Sequence, residues 1–124
     1  MIVGIGTDIC DISRIERAYD RQKKFAERIL TENELAVFSD KAEPHRYLAS
    51  RFAAKEAALK ALGTGLANGI TWQDIEISNL DSGQPVLTLA GRALEIATQK
   101  GVTSLHITLS DERDYAVGFV ILER

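Results

Sequence analysis

The stretch RFAAKEAALKALGTG, residues 51–65, carries the strongest structural signal in the chain. Its apolar residues recur with the period of an α-helix, and the glycines at its end are typical of a helix stop. On a helical wheel Glu56 falls inside the apolar arc, and Lys60 follows one turn later. A solvated Glu–Lys pair would stabilise the helix by only about 0.2–0.5 kcal/mol. Because an ionised carboxylate in an apolar stripe is costly without a partner, we expect Glu56 to pair with Lys60 or with a metal ion.

The patterns around this segment predict an α+β fold. Helical periodicity covers residues 12–30 and 45–62, and Thr31 with Glu34 forms a capping box that opens a helix between them. The short apolar run IVGIG, at 2–6, predicts a strand before the first helix.

The second half of the chain alternates strand patterns with one helix. Strand patterns are ITWQDIEIS at 70–78, PVLTLAG at 85–91, SLHITLS at 104–110 and YAVGFVIL at 115–122, and GRALEIATQKG at 91–101 is helical. Short polar turns join these strands, which predicts an antiparallel sheet with helices packed on it. Because no linker or repeat divides the chain, we expect a single domain over 1–124.

Composition and charge exclude several classes of protein. The chain has 124 residues, a net charge of −3 and one cysteine, Cys10. A net acidic domain gives no support to nucleic-acid binding, and a lone cysteine fits a reducing compartment. No run approaches the roughly 20 apolar residues of a membrane span, and the N-terminus lacks a secretory signal. We therefore expect a cytoplasmic protein that binds neither membranes nor nucleic acid.

A second carboxylate, Asp8, is expected just beyond the end of the first strand. Its alternative role is a helix cap, for which Asp11 and Ser13 compete. Asp8 and Glu56 come from distant segments and together suit Mg²⁺, which takes one or two carboxylates and substrate phosphates. Basic side chains that could contact such phosphates are Lys55, Lys60, Arg51 and His45.

The segment SRIERAYDRQKKFAERIL, residues 13–30, has a basic stripe along one side if it forms a single helix. The stripe consists of Arg14, Arg17, Arg21, Lys24 and Arg28. Phe25 borders it. Such a stripe is most simply a solvated charged face. On an acidic protein it equally favours docking of an acidic protein partner, and the residues alone leave both open.

Four motifs together resemble one enzyme family. They are GIGTDICDISRI at 4–15, FAERILTENE at 25–34, RFAAKEAALKALGTG at 51–65 and HITLSDERDYAVGFVI at 106–121. They resemble the holo-[acyl-carrier-protein] synthases, the small single-domain branch of the phosphopantetheinyl transferases. The resemblance implies the 4′-phosphopantetheinyl transferase fold and transfer of 4′-phosphopantetheine from coenzyme A to a serine of apo acyl carrier protein. It further implies adenosine 3′,5′-bisphosphate as by-product, a role in fatty acid biosynthesis, and a homotrimer with coenzyme A between protomers.

The resemblance also implies roles for individual residues in the metal and phosphate region. Asp8 and Glu56 match the Mg²⁺ ligands of the family, and Lys60 matches a lysine that contacts phosphate. The loop beside the pantetheine and pyrophosphate of coenzyme A is matched by Gly63, Thr64 and Gly65.

Further matches concern the nucleotide and the carrier protein. Arg51 and His45 match family contacts to the adenosine 3′-phosphate. The positions matching the carrier-protein docking surface are Arg14, Arg21, Gln22, Lys24, Phe25 and Arg28. Asp111 departs from the pattern, because many members have a histidine there that contacts the nucleotide. An aspartate cannot supply that positive charge.

Several alternatives remain open on the sequence. The serine proton could pass to Glu56, directly or through a metal-bound water, or to Lys60 if burial lowered the pKa of its ammonium group. A Mg²⁺-dependent phosphohydrolase would need the same metal but not the basic stripe. A non-catalytic acyl-carrier-protein adaptor would keep the stripe but should lack Asp8 or Glu56, and both are present.

Overall fold

One strand, four helices and then two pairs of strands separated by a helix follow one another in this computed structural model, which describes residues 1–124. The strands are β1 (Ile2–Asp11), β2 (Ile75–Asn79), β3 (Pro85–Leu89), β4 (Ser104–Asp111) and β5 (Tyr115–Glu123). The helices are α1 (Ile12–Arg21), α2 (Lys24–Ile29), α3 (Glu32–Asp40), α4 (Pro44–Leu62) and α5 (Gly91–Gln99), with a 3-10 turn at Trp72–Asp74. No helix has both the length and the apolar character needed to cross a membrane.

The strands form two antiparallel sheets, which confirms the α+β class with antiparallel pairing. One sheet has three strands in the order β1-β5-β4, and the other pairs β2 with β3. The sequence predicted one sheet. The two sheets nevertheless share one hydrophobic core, in which Ile77 of β2 and Leu89 of β3 are packed with Val120 of β5.

The backbone of helix α4 lies closer to the three-stranded sheet than side chains at the contact positions would permit. A Cβ atom added to Gly6 would lie 2.0 Å from the carbonyl oxygen of Ala57, and one added to Gly4 would lie 1.9 Å from that of Ala61. Gly118 of β5 meets the same helix in the same way. Glycines facing alanines therefore hold the helix that carries Glu56 directly on the strand that carries Asp8.

Strand β1 is longer than the sequence predicted. It continues to Asp11, and Asp8 is paired with Gly118 of β5 in mid-strand instead of lying beyond the strand end. The cap of α1 is Asp11, whose side chain accepts a hydrogen bond of 2.9 Å from the backbone N–H of Ser13. Pairing with the long partner strand β5 overrides the local preference of Thr7 and Asp8 for a cap.

The predicted helix over 12–30 is two helices. Gln22 has an extended backbone conformation (φ −148°, ψ 104°), which ends α1, and α2 begins at Lys24. The break lets each short helix bury its own apolar side chains, Ile15 in α1 and Ile29 in α2. A single helical wheel therefore does not describe the basic stripe.

The strand predicted over 70–78 begins only at Ile75, because Thr71 and Asp74 form a capping box that starts the 3-10 turn before it. The predicted start of α3 and end of α4 agree with the structure. Thr31 and Glu34 form the capping box of α3. Helix α4 ends at Gly63, which caps it in the left-handed conformation with φ of 78°. A left-handed residue at this position favours glycine, which has no Cβ to clash.

The outer face of the three-stranded sheet, defined as the side away from α4, is apolar and uncovered. Ile5 is 61% exposed and Ile9 is 64% exposed on β1, with Tyr115 and Phe119 beside them on β5. Contiguous apolar surface of this kind marks an interaction site more often than a free surface.

Candidate active site

Strand β1 and helix α4 bring Asp8, Glu56 and Lys60 together. Asp8 is on the strand face that points to α4, as are its neighbours Gly6 and Cys10, both of which are buried. Lys60 Nζ lies 3.4 Å from Asp8 Oδ1 and donates a 2.9 Å hydrogen bond to the carbonyl oxygen of Thr7. Lys60, one of the two partners expected for Glu56, therefore pairs with Asp8 instead.

The environment of Glu56 disfavours its negative charge. Burial raises the pKa of the Glu56 carboxyl group above its ordinary value, and the charge of Asp8 raises it further. Lys60 and Arg14 oppose this shift with smaller effects. A half-buried carboxylate close to a second carboxylate is a good binding position for an added cation.

The donor set fits Mg²⁺ better than other metals. Asp8 and Glu56 supply two carboxylates, and the chain holds no cluster of three or more His, Cys, Asp or Glu side chains arranged for a metal. Zinc favours sets of three or four protein ligands, whereas Mg²⁺ commonly binds one or two carboxylates and completes its shell with water and phosphate oxygens. This pair would therefore hold the ion only with oxygens from a substrate.

The loop after α4 extends the site. Gly63 and Gly65 have positive φ angles of 78° and 60°, and between them Thr64 is half-buried, with its hydroxyl donating to the carbonyl of Gly65. The C-terminal end of a helix repels anions, so a phosphate beside this loop needs positive charge from elsewhere. Lys60, in the last turn of α4, is placed to provide it.

Arg51 lies on a different side of α4, in a cavity of about 750 Å³ that also reaches the N-terminal half of the helix, α3 and β2. Its side chain is 6% exposed and packs over the ring of Tyr47, with 4.4 Å between the guanidinium carbon and the ring centroid. One Nη donates to Asn79 Oδ1, while the buried Nε has no hydrogen-bond partner. A buried guanidinium N–H without an acceptor suits an anionic ligand.

Arg46, which the sequence analysis did not single out, lines the same cavity. Its guanidinium lies 3.6 Å from Asp111 and 3.7 Å from Glu43, and it donates to the carbonyl oxygen of Glu112. Asp111 therefore belongs to the cavity of Arg51, as its place in the family pattern implied, but it acts as a counter-ion to Arg46. Arg46 and Arg51 are five positions apart, about 140° around the helix, so their spacing in the sequence did not indicate that they line one cavity.

His45 does not line the cavity that contains Arg51. Its ring nitrogens lie 3.3 Å from Glu16 Oε2 and 3.7 Å from Asp20 Oδ1, both on α1, and its ring contacts that of Tyr19 edge-on. The acidic side of α1 thus occupies both nitrogens, and the assignment of His45 to a nucleotide phosphate stays a prediction.

Lys55 cannot contact a phosphate, contrary to the expectation from its position. It is fully buried and forms an ion pair of 2.7 Å with Glu34 of α3. Burial lowers the pKa of the Lys55 ammonium group, and the neighbouring Glu34 charge opposes that shift. The sequence offered no signal for this pair, because its two members are 21 positions apart and belong to different helices.

The basic side chains of α1 and α2 remain on the surface despite the break between the helices. The exposed basic members are Arg14, Arg17, Arg21, Lys24 and Arg28, and the neutral Gln22 between the two helices is exposed as well. Phe25 is half-buried, with 6.3 Å between the centroids of its ring and that of Phe52. Arg14 is close enough to Glu56 to lower the pKa of that carboxyl group, so the basic surface begins at the edge of the carboxylate pair.

Comparisons with known proteins agree with this arrangement. The profile of the 4′-phosphopantetheinyl transferase superfamily matches residues 4–120. A holo-[acyl-carrier-protein] synthase from Vibrio atlanticus is 56% identical over 123 residues, which are 98% of this chain and 98% of that protein. The crystal structure of the synthase from Neisseria meningitidis superposes with a TM-score of 0.92 at 40% identity, with full coverage of both chains. The Bacillus anthracis synthase, solved with coenzyme A (3′,5′-ADP), gives 0.83 at 40% identity over 98% of this chain and 96% of that one.

The chain belongs to the 4′-phosphopantetheinyl transferase superfamily, within its holo-[acyl-carrier-protein] synthase group. It is accordingly an enzyme, a phosphopantetheinyl transferase.

Proposed function

We propose that the protein transfers 4′-phosphopantetheine from coenzyme A to a serine of apo acyl carrier protein in a Mg²⁺-dependent reaction. The products are holo acyl carrier protein and adenosine 3′,5′-bisphosphate. The observation that carries the proposal is the pair of carboxylates, Asp8 and Glu56, on facing elements with Lys60 and a basic surface beside them. A phosphohydrolase would have no use for that surface.

In the proposed reaction the serine Oγ forms a bond to the β-phosphorus of coenzyme A as the bond to the bridging pyrophosphate oxygen breaks. Mg²⁺ held by Asp8 and Glu56 would neutralise charge that develops on the pyrophosphate. Glu56 accepts the serine proton, directly or through a water, because its carboxylate lies beside both Asp8 and the basic surface on which the serine would arrive. The leaving group departs as adenosine 3′,5′-bisphosphate.

Lys60, Gly63, Thr64 and Gly65 are proposed to hold the pyrophosphate and the pantetheine arm. Lys60 supplies charge where the α4 dipole is unfavourable. In the loop the backbone N–H of Gly65 is left for the ligand, since those of Gly63 and Thr64 donate to carbonyl oxygens of α4. Arg51 is proposed to bind the 3′-phosphate, supported by its burial and by its unpartnered Nε.

The carrier protein is proposed to dock on α1 and α2. Acyl carrier protein is an acidic partner, and basic side chains that surround the Phe25 ring would steer it and orient it. The surface consists of Arg14, Arg21, Gln22, Lys24, Phe25 and Arg28. Because Arg14 lies close to Glu56, a docked serine would arrive at the carboxylate pair.

We further propose a homotrimer in the cytoplasm with a role in fatty acid biosynthesis. The uncovered apolar face around Ile5, Ile9 and Phe119 supports assembly through the three-stranded sheet. Arg51 and Glu56 are five residues apart on α4, so they point in directions that differ by about 140° around the helix. One coenzyme A molecule would therefore contact both an Arg51 and a Glu56 most simply if it lay between two protomers, with one of these residues supplied by each.

The test is the intact mass of apo acyl carrier protein after incubation with this protein, coenzyme A and Mg²⁺. Transfer adds the phosphopantetheine arm to the carrier protein, and the gain should disappear with EDTA or with Glu56→Ala. Breakdown of coenzyme A without a mass gain would support the phosphohydrolase instead. Stable binding of the carrier protein with neither change would support the adaptor.

A further inference from the structure

Two buried charged residues, Lys55 and Glu34, have no role in the reaction proposed above. Lys55 is 0% exposed and Glu34 is 1% exposed, and their charged atoms are 2.7 Å apart. A buried ion pair adds little net stability over apolar side chains of similar volume, because both charges lose their hydration. The ion pair is therefore better explained by the geometry that it imposes on the surrounding elements than by a gain in stability.

All three hydrogens of the Lys55 ammonium group have acceptors. Besides Glu34, they are the carbonyl oxygen of Ile29 at 2.7 Å and that of Trp72 at 3.2 Å. Ile29 is the last residue of α2, and Trp72 is the first residue of the 3-10 turn. An ammonium group has three donors and no acceptor, so Lys55 is fully satisfied by groups from three other elements.

Glu34 makes the same kind of connection from the other side. Its Oε1 accepts from the backbone N–H of Thr31 at 2.9 Å, and its Oε2 accepts from that of Ile77 at 2.8 Å. These bonds fix the start of α3 and the middle of β2. With Lys55, the pair joins α2, α3, α4, the 3-10 turn and β2 through one buried network.

The network lies next to the reaction centre in sequence and in space. Lys55 and Glu56 are consecutive, so their side chains leave α4 about 100° apart. Once the ammonium group is bound on one side, rotation of α4 about its axis is fixed, and the direction of Glu56 is fixed with it. The same ammonium group holds the end of α2, the helix that carries Lys24, Phe25 and Arg28.

We propose that Lys55 is a positioning residue, which through Glu34, Ile29 and Trp72 holds Glu56 of α4 in a fixed relation to the docking helix α2. The inference rests on the function proposed above and deepens it. In this role Lys55 contacts no substrate, but it aligns the Glu56 carboxylate with the arriving serine.

Three variants separate positioning from plain stability. Lys55→Met removes the ammonium group and keeps the length of the side chain. Glu34→Leu removes the carboxylate. In the double variant no buried charge lacks a partner, so it should melt at a higher temperature than either single variant. The control is Ile96→Ala, which creates a cavity beneath α5, a helix that contributes no group to the network.

Each variant is measured for melting temperature, for kcat in the mass-gain assay, and for the Mg²⁺ concentration that gives half the maximal rate. We expect kcat to fall about 10²-fold in Lys55→Met and in the double variant, because a displacement of about 1 Å at the reacting groups has that effect. The half-saturating Mg²⁺ concentration should rise roughly 10-fold or more. Ile96→Ala should melt lower but, assayed well below its melting temperature, keep kcat within about threefold of the wild type, far short of the 10²-fold loss expected from misplacement.

Recovery of both stability and kcat in the double variant would overturn the proposal, and so would a Lys55→Met variant that behaves like Ile96→Ala. If the single variants do not fold, the double variant and the milder Glu34→Gln, expected to lose roughly tenfold in kcat, decide the question. Absence of transfer by the wild-type protein would refute the proposed function itself. Wild-type transfer with undiminished kcat in the double variant would refute only the positioning role.

Discussion

The carboxyl group of Glu56 lies where burial and the charge of Asp8 disfavour its ionised form, whereas both roles proposed for it, metal ligand and proton acceptor, require that form. The folded-state pKa of Glu56 is raised above its unfolded value. Ionising it therefore costs stability: the cost is absent below the unfolded pKa, and it is complete once the pH has risen through the folded pKa. The ionised Glu56 carboxylate thus destabilises the metal-free fold at neutral pH.

Glu56→Gln should accordingly stabilise the metal-free protein while it abolishes transfer. In EDTA at pH 7 we expect the variant to melt above the wild type, by on the order of 2 °C. The difference should vanish near pH 4, where the wild-type carboxyl group is protonated. Added Mg²⁺ with coenzyme A should raise the wild-type melting temperature and leave the variant nearly unchanged. A variant that melts lower than the wild type at pH 7 would contradict the account of Glu56.

Asp111 is a second residue whose charge should affect function, because it lies where a phosphate of coenzyme A is proposed to bind. It lies 3.6 Å from Arg46 in the cavity of Arg51, where its negative charge opposes a phosphate. We expect Asp111→Asn to lower KM for coenzyme A by roughly threefold and to leave KM for 3′-dephospho-coenzyme A unchanged, because only the former carries the extra phosphate. A higher KM for coenzyme A in this variant would instead mean that Asp111 is needed to hold Arg46 in place.

At the scale of elements, the contact between β1 and α4 decides whether Asp8 and Glu56 can meet. Gly6 allows the helix backbone to approach, since any Cβ there would overlap the carbonyl of Ala57. Gly6→Ala should push the helix from the strand and cost about 1–3 kcal/mol of unfolding free energy. Urea unfolding measures that cost, and the transfer assay should show a larger loss than stability alone explains. Thr88→Ala, on the exposed face of β3, is the control and should change neither.

The basic surface of α1 and α2, proposed for docking, leads to a prediction about binding of the carrier protein. Arg21→Glu reverses one exposed charge on the surface proposed for the acidic carrier protein. We expect KM for the carrier protein to rise roughly tenfold at low salt, with kcat and KM for coenzyme A nearly unchanged. The effect should shrink as ionic strength increases. Arg124→Glu, at the end of the chain, is the matched charge reversal; an equal effect of both variants would argue against a specific docking surface.

At the scale of the whole molecule, the outer face of the three-stranded sheet should govern assembly. Ile9→Lys puts a charge at the centre of that face, where Ile9 is 64% exposed in the single chain. We expect the wild type to sediment as a trimer and the variant as a monomer, with transfer reduced at least tenfold because coenzyme A would lose half of its site. A variant that is monomeric yet fully active would show that one protomer holds a complete site.

The amino-acid sequence by itself determined the elements whose signals are local. The capping box of Thr31 and Glu34, the end of α4 at Gly63 and the carboxylate Glu56 in an apolar stripe all follow from spacings within one turn or two. The resemblance of four motifs added the family and, through it, the match of Asp8 to a metal ligand.

Only the tertiary structure decided the features that depend on distant parts of the chain. Strand β1 continues past Asp8 because β5, more than a hundred residues later, supplies its hydrogen bonds. Lys60 binds Asp8 and not Glu56, and Lys55 is buried against Glu34, because sheet and helices bring those groups together after the local elements have formed. Local patterns report backbone preference and one face of each element, whereas partners across elements are fixed by packing, which no short window of sequence contains.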